Sequence, residues 1–98
     1  MSADLSQGFN PGMLVSVAEE QAPELPWLPA ALAGLGAGNW ESAAYVRYVS
    51  AANANQPGSE WQFQECVELE HQDLGDLVID VLSGNRIGGI ELIHRIQE

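Results

Sequence analysis

From residue 61 to residue 70 the chain alternates. Trp61, Phe63, Val67 and Leu69 fall on one side, and Gln62, Gln64, Cys66, Glu68 and Glu70 on the other. That period of two predicts a half-buried strand. Glu65 breaks it by falling on the apolar side, which calls for a bulge nearby or an ion pair with Arg47 or Arg86. Three more segments read as strands: residues 45–49, which are β-branched and aromatic, residues 76–82, and residues 87–96. Turn chemistry separates them, with Asn-Gln-Pro-Gly inside residues 53–59, Asp73-Leu74-Gly75, and Ser83-Gly84-Asn85-Arg86.

Upstream of residue 40 the pattern changes. Asn10-Pro11 has the form of a helix start, and Met13, Leu14 and Val17 then give a short apolar face that Pro23 ends. A second helical piece starts near Pro29 and stops in the glycine-rich residues 34–38. The expected fold class is α+β, with short N-terminal helices packed on a four-stranded antiparallel β-meander. It forms a single domain over residues 1–98, of which 1–39 are helical and 40–98 make the sheet.

A two-residue turn at Gly84-Asn85 sets the register of the last hairpin. It places Leu82 opposite Ile87, Asp80 opposite Gly89, Ile79 opposite Ile90, Val78 opposite Glu91, and Leu77 opposite Leu92. Matching apolar positions across the preceding hairpin pairs Leu69 with Leu77, Glu68 with Val78, Val67 with Ile79, and Cys66 with Asp80. One face then collects Val67, Leu69, Leu77, Ile79, Ile90 and Leu92, which is a core. The other collects Glu68, Glu70, Asp80 and Glu91 around Cys66 and Val78.

Charge sharpens this picture. The 98 residues hold fourteen Asp and Glu against three Arg and no Lys, for a formal net charge of −11. Such a chain cannot neutralise phosphates, so nucleic acid is excluded as a partner, and an anionic membrane surface is disfavoured. A basic protein surface or a metal is what this charge attracts. Cys66 is the single cysteine, so no internal disulfide forms, and the Cys/His clusters of structural zinc sites are missing. The N-terminus carries neither a basic region nor a long apolar run. The longest apolar stretch, residues 25–35, is broken by Pro26, Pro29 and Gly34. The expected compartment is the cytoplasm.

Candidate chemistry is sparse. Asp80 and Glu91 are diagonal neighbours on the acidic face, close enough to share a metal or work as an acid–base pair, although an ordinary solvated acidic face has the same pattern. His71 in a turn and His94 on the last strand sit in no ligand or catalytic motif and read as surface residues. Cys66, ringed by carboxylates, is disfavoured as a nucleophile. Gly88-Gly89 lacks the spacing and lysine of a phosphate-binding loop. Inside a strand, such glycines mark a bulge or a close backbone approach. Trp27, Trp40 and Trp61 read mostly as core. No catalytic set, metal site or cofactor is expected.

The segments Asn53-Ala54-Asn55, Gly58-Ser59-Glu60-Trp61-Gln62-Phe63, Leu69-Glu70, Leu77-Val78-Ile79-Asp80-Val81-Leu82 and Arg86-Ile87-Gly88-Gly89-Ile90-Glu91 cover roughly the last half of the chain. Together they resemble small bacterial immunity proteins encoded beside polymorphic toxins, including those of contact-dependent growth inhibition systems. The resemblance implies a cytoplasmic protein that binds one cognate toxin domain, often an RNase, and blocks its active site. It carries over no interface residues. The acidic pattern supplies them: Glu68, Glu70, Asp73, Asp80 and Glu91 are the expected partner-binding residues, in a one-to-one complex with a basic nuclease domain. The rival readings are a small metal-dependent enzyme using Asp80 and Glu91, and a homo-oligomeric scaffold pairing through a sheet edge.

Overall fold

The structure, a computed structural model, describes residues 9–96. Asn10 caps the first turn by accepting the Gly12 N–H on its side-chain oxygen at 2.7 Å, and Pro11 follows at the first helical position. A 3₁₀ turn, Pro11–Leu14, leads into α1, Val15–Gln21, and α2 covers Leu28–Ala33 and stops at Gly34. The buried stripe of the first helical stretch is Leu14, Ala18 and Ala22, at a spacing of four, continued by Leu28 and Leu32 of α2. It lies one residue beyond the expected Val17, which packs at the margin of the core. Alanine at the centre lets the helix backbone sit close to the sheet.

The fold is α+β as expected, but among the described residues the antiparallel sheet has five strands rather than four, in the order β1-β2-β5-β4-β3. These are β1 Asn39–Ser42, β2 Tyr45–Arg47, β3 Phe63–His71, β4 Gly75–Leu82 and β5 Arg86–Leu92. The additional strand, β1, is short and polar apart from Trp40, which pairs with Val46 across a bulged hairpin and meets Phe9 edge-on at 5.8 Å. The meander runs through β3, β4 and β5. β2 pairs with β5 rather than β3, so the loop after it crosses the end of the sheet. That loop holds the expected turn, with positive φ at Asn53, Asn55 and Gly58.

Register from Leu77 to Asp80 against β5, and from Cys66 to Leu69 against β4, is as the apolar pattern predicts. Two bulges modify the hairpin end. One falls between Phe63 and Glu65 and turns Phe63 to the face of Leu82 and Asp80, while Glu65, opposite Val81, stays on the side of Val67 and is exposed there. The other falls at Gly88, so Leu82 lies opposite Arg86 rather than Ile87 around a three-residue turn with positive φ at Gly84 and Asn85. The last strand ends at Leu92 rather than Ile96, and His94 sits on the 3₁₀ turn Ile93–Arg95. The helices cover the face of Val67, Leu69, Leu77, Ile79, Ile90 and Leu92, all buried in one core with Val46, Val81 and Ile87. Among the described residues no helix is long and apolar enough to cross a membrane.

Candidate functional site

Alternation sends every second residue of the covered strands to the opposite face. Across the sheet, one row on that face runs Tyr45, Glu91, Val78, Glu68, and the next runs Arg47, Gly89, Asp80, Cys66. Glu70 and Asp76 pair beyond Glu68 and Val78. Four of the five expected binding residues, Glu68, Glu70, Asp80 and Glu91, therefore share one face. Asp73 stands apart on the exposed β3–β4 turn. There the His71 Nδ1 accepts the backbone N–H groups of Asp73 and Leu74 at 3.0 and 3.2 Å, which gives His71 a part in shaping the turn.

Asp80 is the hub of the open face. Its Oδ2 accepts the Tyr45 hydroxyl at 2.9 Å, and its Oδ1 faces the Cys66 Sγ at 3.6 Å. The Tyr45 ring reaches Asp80 by lying across Gly89, where a Cβ would run into the phenol. This is the close approach that a strand glycine announces. Burial raises the Tyr45 phenol well above its ordinary value, helped by the Asp80 hydrogen bond and by the Asp80 and Glu91 charges. The Cys66 thiol is also pushed up, first by desolvation and then by Asp80. Both groups stay protonated beside the carboxylate, as donors.

Two features of the face are new relative to the sequence reading. Tyr45 and Asp76 belong to it. Tyr45 was hidden because its place depends on β2 lying beside β5, a pairing distant in sequence. Asp76 was legible, since it occupies the same parity as Val78 and Asp80. A groove of about 480 Å³ runs beside Glu68, Glu70, Asp76, Val78 and Ile93. At the hairpin end, Leu82 is fully buried on this side of the sheet, with Trp61 close to it over Gly88, and Phe63 beside them is 47% exposed.

The arginines have local roles. Arg47 forms an ion pair with Glu41. Arg86 donates to the carbonyls of Ser83 and Glu60 at 2.9 and 2.7 Å, and Arg95 donates to the Ala43 carbonyl and lies over Trp40. Neither Arg47 nor Arg86 takes up Glu65; it is exposed at the end of the apolar side, where its Oε2 accepts the Gln64 amide at 3.3 Å. Among the described residues, no three His, Cys, Asp or Glu side chains come together in a way that could hold a metal ion. The pair Asp80 and Glu91 thus lacks a third ligand there. Chemically, the face offers anchored acceptors to a cationic surface. No family model matches the chain, and neither a curated protein nor a solved structure matches it.

Proposed function

We propose that the chain is an immunity protein that binds one cognate toxin domain, a nuclease with a basic substrate cleft, and blocks that cleft in the cytoplasm. The observation that carries this reading is the sheet face left uncovered by the helices. It sets Glu68, Glu70, Asp76, Asp80 and Glu91 on a rigid antiparallel scaffold. A nuclease cleft presents Arg and Lys to phosphates, and carboxylates fixed on strands replace those phosphates. Inhibition is then steric and electrostatic, and the chain itself performs no catalysis. The C-terminal resemblance points the same way.

Long-range attraction between a chain of charge −11 and a basic cleft steers association. Rim and centre then differ. Glu70 and Asp73 are exposed, so neutralising either slows association and leaves dissociation nearly unchanged. Asp80 is half-buried and held by Tyr45, so Asp80→Asn speeds dissociation and costs about 2–5 kcal/mol of affinity by leaving a toxin cation unpaired. The test is surface-plasmon kinetics against the toxin domain encoded beside this chain, at two salt concentrations. The expected result is a wild-type on-rate that falls steeply with salt. A wild type that does not bind, or binds with an on-rate indifferent to salt while the acidic-face variants bind normally, refutes the mechanism.

A further inference from the structure

Among the described residues β3 lies at one edge of the sheet, with no strand beside the outer side of its backbone. Gln21 of α1 reveals which peptide groups face outward. Its Oε1 accepts the Glu70 N–H at 2.8 Å, and its Nε2 donates to the Glu70 carbonyl at 2.7 Å. A side chain here makes the double exchange that a neighbouring strand would make. Outward-facing residues alternate along an antiparallel strand, and pairing with β4 is unbroken from Cys66 to His71. The next outward positions are therefore Glu68 and Cys66. The bulge before Glu65 closes the edge at the other end. Among the described residues, nothing pairs with the outer side of residues 65–69, where two residues offer their backbone groups outward.

We infer that this edge receives an extended, basic segment of the partner as a sixth strand. The inference rests on the binding role proposed above and specifies how the partner is held. Main-chain bonds to Cys66 and Glu68 supply affinity, and alternate side chains supply choice. On the open face the added strand runs beside Glu68, which favours Arg or Lys there. On the other face it runs beside Val67, which favours an apolar residue. Exposed edges are commonly defended by charge. Here the charge selects the occupant: a second copy would set Glu65, Glu68 and Glu70 of two chains of charge −11 against one another, whereas a cationic strand is attracted.

Proline at position 68 tests this directly. The Glu68 N–H faces outward, so Glu68→Pro removes no bond to β4, and edge strands tolerate proline at such positions. Glu68→Gln controls for the charge. Against the neighbouring toxin domain, Glu68→Pro is expected to weaken binding at least about tenfold beyond Glu68→Gln. Hydrogen exchange on the wild type is expected to show the Cys66 and Glu68 amides becoming protected in the complex, a readout that stands even if the proline variant folds poorly. Equal binding by the two variants with unprotected amides overturns the added strand and leaves the acidic-face reading intact. A wild type that does not bind overturns both. A wild-type homodimer that Glu68→Pro dissociates overturns the choice of occupant.

Discussion

The two faces of β3, β4 and β5 are built from the same strands in alternation, one residue apart, yet they are organised by different forces. On the covered face Leu77, Ile79, Ile90 and Leu92 are fully buried beneath helices, and their positions follow from the demand to exclude water. On the open face nothing from the described chain covers Glu68, Glu70 or Asp76, and order comes from the two hydrogen bonds, from Tyr45 and Cys66, that converge on Asp80. A polar group at those four buried positions would lose its water without gaining a partner, but the covered face says little about function. The exposed carboxylates of the open face contribute little to folding, so they are free to serve a partner. The contrast also explains why register matters: a one-residue slip would exchange the two sets and destroy both.

The largest expected effect tests the covered face. Ile79→Ala removes a fully buried side chain from the centre of the core and should destabilise the protein by about 2–5 kcal/mol in urea unfolding. Glu70→Gln, one face away and exposed, should change stability by no more than about 0.5 kcal/mol. The reverse ranking would break the face assignment on which the site depends.

A smaller effect tests a place where the open face is closely packed. Gly89→Ala places a methyl group against the Tyr45 ring and should cost about 1–3 kcal/mol. In a Tyr45→Ala background the same change should cost far less, because the ring is gone. The coupling in that double-mutant cycle measures the contact itself. Equal costs in both backgrounds would show that Gly89 is required for its backbone and not for the tyrosine above it.

These residues also show how far the sequence could be read. The alternation of residues 66–70 and 76–82 gave both faces and the register between them, because burial on one side leaves a single workable pairing. The misfit at Glu65 pointed to a bulge that the structure contains, but the bulge moves Phe63 to the other face and leaves Glu65 exposed on the apolar side. Three things were out of reach. β1 is four residues with one large apolar side chain, too short for any period to stand out. The pairing of β2 with β5 is a contact distant along the chain, with no local signal to choose it over β3. Tyr45, placed by that pairing, could not be assigned to the acidic face. The turn at residues 83–85 misled for a local reason: Gly84 and Asn85 both have positive φ as a two-residue turn requires, but the compensating bulge at Gly88 shifts Leu82 to Arg86.

The smallest effect concerns Cys66, and it tests whether Asp80 organises the open face. The thiol is exposed, so access alone would make it reactive. Its pKa is raised, chiefly by desolvation, then by the Asp80 charge and hydrogen bond, with Glu68 and Glu91 adding to the same direction. The thiolate is the reacting species, so a raised pKa means slow modification by a disulfide reagent near pH 8.5, about where a free cysteine is half ionised. Asp80→Asn removes the nearest charge and should speed the reaction severalfold. Glu70→Gln lies outside the set of groups acting on the sulfur and should leave the rate as it is. Tyr45→Phe separates two accounts of the hub. If the tyrosine holds the carboxylate against Cys66, loss of its hydroxyl frees Asp80 to turn toward water and the rate rises part of the way. If Cys66 and the strand backbone suffice to hold it, the rate stays at the wild-type value. Equal rates in wild type and Asp80→Asn would mean that the Asp80 carboxylate does not govern the thiol, and that the open face is a set of independent side chains.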